Sequence, residues 1–318
     1  MQGLDFMGFV EDLKKYSVQF LRTKANNDLS KNTIRHYSSA FSKFFPFLED
    51  KNRKLKGKLT SKHIDENLFF DFIDSLAQNR EIKNTTKKAY LIRLKIFFKY
   101  VEKKSNNKIV LLINFEHINI KTPSMERKHF TAEETRRLLS YFAYFEGVEE
   151  YKTAQKILIA KILSFTGVRA SELAGLRTSS FNLNDGVYEF VVFGKGQKER
   201  RLYVSEHLIG NELFVLKAAN VDFICATRTG KPMVHSQLWK TTRAIFEEAD
   251  IKQSGIHIFR HSFARQLVEK NVNLATVMEL LGHADIKTTQ IYARTNENTK
   301  KRALMATFDN DISQKTLH

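Results

Sequence analysis

Residues 166–173 of the chain read TGVRASEL. In the second half of the chain, this stretch lies between a predicted helix and two predicted strands. The apolar spacing before it, over 154–165, predicts a helix. Two runs after it, 187–193 and 200–204, predict a β-hairpin or part of a three-stranded sheet. Further helices are predicted at 131–144, 236–248, 259–270 and 274–281. The second half is therefore expected to be mixed α/β.

The first third of the chain is expected to be helical throughout. Apolar residues recur near helical spacing from Phe6 to Leu21 and, after a plausible N-cap at Ser30, from Ile34 to Leu48. A third helix is predicted over 68–76. A fourth is predicted to start after Asn84, with Thr85 or Thr86 near its cap. Four amphipathic helices predict a small bundle, so the whole protein is mainly α with a small β-sheet.

The length of 318 residues exceeds that of one typical core and predicts two domains. We expect a helical domain over 1–105, a linker over 106–128 and a mixed domain over 129–318. The second domain has a helix start signal, because Thr131 and Glu134 have capping-box spacing and Phe130 is placed to staple the first turn.

The charge balance points to a polyanionic partner. There are 52 Lys and Arg against 35 Asp and Glu, a formal net charge of +17. Nucleic acid is the first expectation, although a basic balance can also simply aid solubility. Basic residues cluster in a connecting stretch over 51–62 and on the fourth predicted helix. Phosphate contacts explain so unbalanced a helix better than a solvated face does. The predicted DNA contacts there are Lys87, Lys88, Arg93, Lys95 and Lys99.

The single cysteine and the apolar pattern exclude several other classes of protein. Cys225 rules out an intrachain disulfide framework and a cysteine-based zinc site, and it is expected to fill a core. Residues 1–10 have no basic region before an apolar run, so no signal peptide is predicted. No apolar stretch approaches the roughly 20 residues that span a bilayer. A cytoplasmic, nucleoid-associated protein with no membrane partner is expected.

Four segments carry polar residues that suggest chemistry, but each has an ordinary explanation by itself. Arg169 and Glu172 could form a surface pair at i, i+3. Lys195 could be a solvated turn, and His257 with Arg260 could cap or pack a helix. Residues 281–292 could hold only a helix-ending glycine, a satisfied histidine and a core tyrosine.

Taken together, these residues suit in-line attack on a phosphodiester. The transition state carries extra negative charge on its non-bridging oxygens, and two guanidiniums form an effective clamp because each is planar and permanently charged. Arg169 and Arg260 supply them. The hydroxyl of Tyr292 can attack phosphorus and form a covalent phosphotyrosine.

The same reaction needs two proton transfers. The tyrosine needs a proton acceptor, and imidazole titrates in the right range, which fits His257 and His283. The departing sugar oxygen needs a proton donor, and Lys195 on its turn can reach it. Because the arginines balance the charge, neither a metal ion nor any other cofactor is expected.

The order of motifs resembles the tyrosine recombinase, or phage integrase, family. The family patterns Thr-Gly-x-Arg-x-x-Glu-Leu and Gly-Lys-Gly-x-x-x-Arg match 166–173 and 194–200. The patterns His-x-x-Arg-His and Leu-Gly-His match 257–261 and 281–283, and Tyr292 follows. The resemblance implies six catalytic residues, namely Arg169, Lys195, His257, Arg260, His283 and Tyr292. It implies positioning roles for Glu172 and His261, and Arg200 is predicted to contact DNA.

The resemblance also implies an architecture. The first domain would be a four-helix, SAM-like core-binding domain and the second the catalytic domain, together a clamp around DNA. The phrases GKGQKER and LGHADIKTTQIY are most similar to Xer-type recombinases. These imply a dimer on one double-stranded site and a tetramer in synapsis. The segment after Tyr292, with a small apolar cluster over 303–308, would dock on a neighbouring subunit.

The biological role has several candidates. The Xer resemblance implies resolution of chromosome dimers at segregation, with a division-linked DNA translocase as a further partner. An integrase or resolvase of a mobile element has the same architecture. A non-catalytic DNA-binding regulator explains the charge and the helices but not the ordered motifs. A type IB topoisomerase uses the same chemistry, and an RNA-binding helical protein is a weaker alternative, since no aromatic RNA-recognition motif is present.

Overall fold

The computed structural model describes residues 8–26, 31–77, 82–106, 109, 113–122, 128–194 and 199–282. The chain divides into two compact units, Met1–Met125 and Glu126–His318. Helices dominate both, and the described strands form one small sheet in the second unit. The predicted fold class, mainly α with a small β-sheet, is confirmed.

The described part of the first unit contains four α-helices. They are α1 (Phe9–Asn26), α2 (Lys31–Lys54), α3 (Glu66–Ala77) and α4 (Asn84–Lys104). The core that they share is rich in phenylalanine, and its rings meet mostly edge to face, as Phe44 and Phe98 do at 5.7 Å between centroids. The six phenylalanines with under 2% exposure in this core are Phe20, Phe44, Phe69, Phe72, Phe97 and Phe98. These rings fill the interior of the helical bundle that the amphipathic pattern predicts.

The helix limits differ from the sequence predictions in two places. Helix α4 begins at Asn84, one residue earlier than predicted, with Lys83 as N-cap and with Thr85 and Thr86 in its first turn. Helix α2 runs to Lys54, so the first part of the basic stretch over 51–62 is helical and not a connection. The predicted cap at Ser30 lies outside the described residues.

Part of the predicted linker packs on the first unit. Ile118 and Ile120 are buried in the phenylalanine-rich core, and Phe115 lies edge to face on Phe69 with 5.0 Å between ring centroids. Ile109 and Ile113 also pack, partly buried, against the same core.

The second unit surrounds one central helix. Helix α6 (Tyr151–Thr166) buries residues on most of its sides, including Ile157, Leu158, Ile159 and Ala160. Around it lie α5 (Ala132–Tyr144), α7 (Ala170–Ala174), α8 (Glu206–Ala218), α9 (His235–Glu248), α10 (His257–Glu269) and α11 (Leu274–Leu281). Sequence reasoning missed α7 and α8.

The sheet is antiparallel with strand order β1 (Asn182–Asn184), β2 (Val187–Phe193) and β3 (Glu199–Ser205). The pairs Val187↔Ser205 and Phe193↔Glu199 fix the register of β2 and β3. The three-stranded form of the prediction is therefore the one observed. Cys225 is fully buried in this unit, as predicted, and burial raises the pKa of its thiol.

Two local features of the second unit stabilise α5 and α11. The capping box of α5 is confirmed, because the Thr131 hydroxyl accepts from the Glu134 backbone N–H while the Glu134 carboxylate accepts from that of Thr131. Helix α11 packs on α10 through a small cluster of Ala264, Val277 and Leu281, separate from the main core. No helix among the described residues is long and apolar enough to cross a bilayer.

Candidate active site

Arg169 is placed by a sharp change of direction between two helices. Gly167 ends α6 in the left-handed conformation, with φ of +62°, and α7 begins three residues later. The backbone N–H of Arg169 donates to Glu172 Oε2 at 2.7 Å, and its Nη1 donates to Glu172 Oε1 at 2.8 Å. The side chain of Glu172 is only 1% exposed, so the alternative of a surface ion pair is wrong.

Arg260 connects two helix ends from its place in the first turn of α10. Its residue exposure is 6%. Nη1 donates to the carbonyl oxygen of Gly167 at 2.7 Å, and Nη2 donates to that of Leu281. The guanidinium therefore holds the end of α6 and the end of α11 together.

Arg200 is the second partner of Glu172. It lies on β3, opposite Val192, with a side chain that is 9% exposed. Nη1 and Nη2 donate to the two carboxylate oxygens of Glu172, each at 2.7 Å, and Nε donates to the carbonyl oxygen of Leu280 at 2.9 Å. A bidentate guanidinium–carboxylate pair of this kind is strong and fixes direction.

Three guanidiniums thus converge on the C-terminal end of α11. Arg200 donates to Leu280, Arg260 to Leu281 and, at 2.9 Å from Nη2, Arg169 to Gly282. The last carbonyls of a helix lack partners within the helix and carry partial negative charge. Cations at this position therefore satisfy both the hydrogen bonds and the dipole of α11.

The carboxylate of Glu172 stays ionised in this setting. Burial alone would raise its pKa, but the hydrogen bonds from Arg200 and Arg169 outweigh burial and lower the pKa to about 2. One negative charge is shared by two permanently charged guanidiniums, so the group keeps a net positive charge at every pH near neutrality.

His257 begins α10, one turn before Arg260. The pKa of its imidazole is lowered below the ordinary 6.5, first by partial burial and then by repulsion from His235, Arg260 and Arg169. The ring is therefore mainly neutral near pH 7 and can accept a proton. His261 follows Arg260 and is half-buried.

The remaining predicted catalytic residues lie outside the described residues. These are Lys195, His283 and Tyr292, together with the segment after Tyr292. The structure brings Arg169, Glu172, Arg200 and Arg260 together, with His257 on the same helix as Arg260. Among the described residues, no group of three or more His, Cys, Asp or Glu side chains is arranged to hold a metal ion.

The predicted DNA contacts of the first unit are not equivalent. On α4, Lys88 and Lys99 are exposed, Arg93 and Lys95 are half-buried, and Lys87 is buried at 8% exposure. Lys88, Lys95 and Lys99 share one face, because spacings of seven and four residues return to the same side of a helix. Arg93 lies off this face and interacts electrostatically with Tyr37.

Sequence reasoning missed the acceptors on which the arginines rest. They are backbone carbonyls of Gly167 and of residues 280–282, which every residue type has. The only sequence feature that could have indicated these contacts was the glycine at position 282. A Cβ on Gly282, which has φ of +60°, would lie 2.9 Å from Arg200 Nη1, so the close approach of that guanidinium needs glycine there.

The chain is similar in sequence to one known protein family and to two known relatives. The model of the phage integrase family matches residues 128–299, more than half of the chain. Tyrosine recombinase XerH of Helicobacter pylori is 28% identical over 260 residues, covering 76% of this chain and 70% of the relative. Tyrosine recombinase XerD of Halalkalibacterium halodurans is 26% identical over 302 residues, covering 91% and 96%.

A solved structure has a similar fold over nearly the full length. It is the crystal structure of the XerH site-specific recombinase bound to its palindromic difH substrate, a post-cleavage complex. The TM-score is 0.78 at 24% identity, with 93% of this chain and 96% of that chain covered.

Proposed function

The chain belongs to the phage integrase family, as a site-specific tyrosine recombinase of the Xer type that breaks and rejoins DNA, and from this premise we propose that Tyr292 is its nucleophile. The observation that carries the proposal is the placement of two guanidiniums. Arg169 and Arg260 donate to the adjacent carbonyls of Gly282 and Leu281, the point from which the chain continues to Tyr292. The charge that would stabilise a scissile phosphate is thus anchored to the segment that supplies the attacking group.

The proposed cleavage step is a direct displacement at phosphorus. The phenol oxygen of Tyr292 forms the new bond, and the bond from phosphorus to the sugar 5′ oxygen breaks. The product is a 3′-phosphotyrosine and a free 5′-hydroxyl. The phenol proton passes to His257 or His283, and Lys195 gives a proton to the departing oxygen.

Arg169 and Arg260 stabilise the extra charge on the non-bridging oxygens. The net positive charge left after Glu172 is shared between Arg169 and Arg200 favours a dianionic transition state over the singly charged diester. The neutral imidazole of His257 suits a proton acceptor, since its pKa lies below 6.5.

Rejoining follows from the covalent link. Because the phosphotyrosine keeps the energy of the broken bond, a 5′-hydroxyl from another duplex can reverse the step without a nucleotide cofactor. Two such exchanges, through a Holliday junction, need four subunits on two double-stranded sites, with the tail after Tyr292 docked on a neighbouring subunit. Resolution of chromosome dimers, aided by a division-linked translocase, is the proposed role, and integration or resolution of a mobile element is the alternative.

Contact with DNA outside the cleavage site is proposed for α4. Lys88, Lys95 and Lys99 form one basic face of this helix, which suits phosphate oxygens along a groove. Lys87 is buried and Arg93 lies off the face, so these two are weaker candidates.

The direct test is covalent trapping on a nicked suicide substrate that carries a chromosomal or mobile-element site. Wild-type protein should give a protease-sensitive shifted band on a denaturing gel, also in excess EDTA. Tyr292→Phe should bind the same DNA and give no such band. Trapping by Tyr292→Phe would disprove the nucleophile, and a strict need for a divalent ion would contradict the mechanism.

Two further measurements separate the alternatives. A regulator without catalysis would bind the site and never trap it. A type IB topoisomerase would relax supercoiled DNA as a monomer and not exchange strands between two sites. Deletion of 307–318 should impair recombination more than DNA binding if the tail docks on a neighbour, and equal loss of both would favour a local cap.

A further inference from the structure

Arg200 is bound entirely by groups of the protein in a place where a phosphate contact was predicted. Its side chain is 9% exposed, and all three of its nitrogens donate to Glu172 or to the carbonyl of Leu280. The carboxylate of Glu172 takes both terminal nitrogens of Arg200 and balances its charge, whereas the terminal nitrogens of Arg260 donate to neutral carbonyls. The predicted DNA contact at Arg200 does not agree with this placement.

Glu172 receives four hydrogen bonds, and they come from two arginines. Arg200 donates two from its guanidinium, while Arg169 donates one from Nη1 and one from its backbone N–H. The carboxylate is 1% exposed, so solvent cannot replace a lost donor. Removal of Arg200 would leave a buried charge with half of its donors, which is costly unless Arg169 moves to compensate.

Arg200 also contacts the C-terminal end of α11. It holds the carbonyl of Leu280, and its Nη1 lies where only a glycine at position 282 leaves room. The backbone conformation at the end of α11, from Leu280 to Gly282, is therefore tied to the position of this guanidinium.

We propose that Arg200 is a positioning residue for strand cleavage, which orients Arg169 through Glu172 and fixes the start of the segment that carries Tyr292. The proposal rests on the function proposed above. Arg200 does not touch the phosphate. It connects β3, α7 and the end of α11, so that the guanidinium of Arg169 and the carbonyls at the end of α11 keep one relative geometry.

Arg200→Ala and Arg201→Ala are a matched pair for the test. Arg201 is the next residue on β3, its side chain is 62% exposed, and it pairs with Glu189 at 2.7 Å. For each variant, one measures the dissociation constant for the site, its salt dependence, the rate of covalent trapping at saturating DNA, and the melting temperature.

Arg200→Ala should lower the trapping rate at saturation roughly 10- to 100-fold, by analogy with the loss of a partner that orients a metal ligand. Its dissociation constant and salt slope should stay those of wild type. Arg201→Ala should leave the trapping rate unchanged. Added methylguanidinium, which fits the space left by the side chain, should restore part of the lost rate in Arg200→Ala.

The opposite pattern would overturn the proposal. A phosphate contact at Arg200 would weaken binding, flatten the salt slope by about one unit and leave the saturated rate intact. If Arg200→Ala does not fold, Arg200→Lys carries the same comparison, since one ammonium cannot reproduce the fork. If the wild-type protein traps DNA and these variants do not change the trapping rate, only this inference is rejected. If the wild-type protein does not trap DNA through Tyr292, the proposed function is rejected.

Discussion

The ring of Phe263 occupies the space next to Gly167 so closely that a Cβ on this glycine would lie 2.4 Å from Phe263 Cδ1. Gly167 also has φ of +62° and offers its carbonyl to Arg260. One residue thus serves as the end of α6, as a contact surface for α10 and as an acceptor in the site. Few positions in the described chain combine local conformation, packing and chemistry in this way.

Gly167→Ala should therefore destabilise the fold and impair cleavage together. The left-handed conformation and the overlap with Phe263 predict a loss of roughly 2–4 kcal/mol in unfolding free energy. Gly175→Ala is the control, because φ is −90° there and the nearest atom to an added Cβ lies at 3.8 Å. Chemical denaturation measures both, and equal stability of the two variants would contradict the packing argument.

Arg169→Ala and Arg260→Ala should each slow covalent trapping far more than they weaken DNA binding. Loss of one donor to a developing oxyanion costs roughly 3 kcal/mol, or about 100- to 1,000-fold in rate. Arg265→Ala is the control on α10, since its side chain is 43% exposed and pairs with Glu269. The measurement is the single-turnover rate at saturating DNA. A wild-type rate of trapping in Arg260→Ala would show that Arg260 does not stabilise the charge on the phosphate.

The rate of cleavage should depend on pH through His257. Its pKa lies below 6.5, so the neutral form that accepts a proton persists as the pH drops to 6.5 and is lost at lower pH. The folded protein binds this proton more weakly than the unfolded chain does, so folding stability also decreases as the pH falls below about 6.5. A pH profile of trapping by His257→Gln should lack this acidic limb. An unchanged limb would assign it to another group.

Replacement of Lys88, Lys95 and Lys99 by alanine should weaken DNA binding at low salt and flatten its salt dependence. Each lost phosphate contact lowers the slope of log K against log salt by about 0.9. Lys15→Ala is a control in the same unit, because this lysine is exposed on α1 and lies near Asp12. A titration of binding at several salt concentrations decides the matter. An identical slope in the triple variant would exclude α4 from the DNA contacts.

Much of the fold could be predicted from short-range signals. The capping box of Thr131 and Glu134 located α5, and alternating apolar residues located β2 within its observed limits. Helix α8 was missed because β3 runs directly into it, with no turn residue between Ser205 and Glu206, and because Gly210 lies within it. Residue spacing separates two elements poorly when the chain changes from one period to the other without a break.

The site was predictable only in part, for a related reason. Motif order singled out Arg169, Glu172 and Arg260, and the structure brings them together. The role of Arg200 could not be read from its type, because a surface arginine and a buried one look alike in sequence. Its burial depends on Glu172, which is 28 residues away, and on a helix end 80 residues away.

Helix α11 is short, and its buried residues Val277 and Leu281 pack with Ala264 of α10 in a small cluster of their own, while Leu280 alone reaches the main core from a partly buried position. Elements of this kind open locally at a lower free energy than the whole fold. A single opening of α11 would remove the carbonyl acceptors of three arginines at once. Warming should thus inactivate the enzyme while most of its helices remain intact. DNA that stabilises α11 should extend the temperature range over which the enzyme is active.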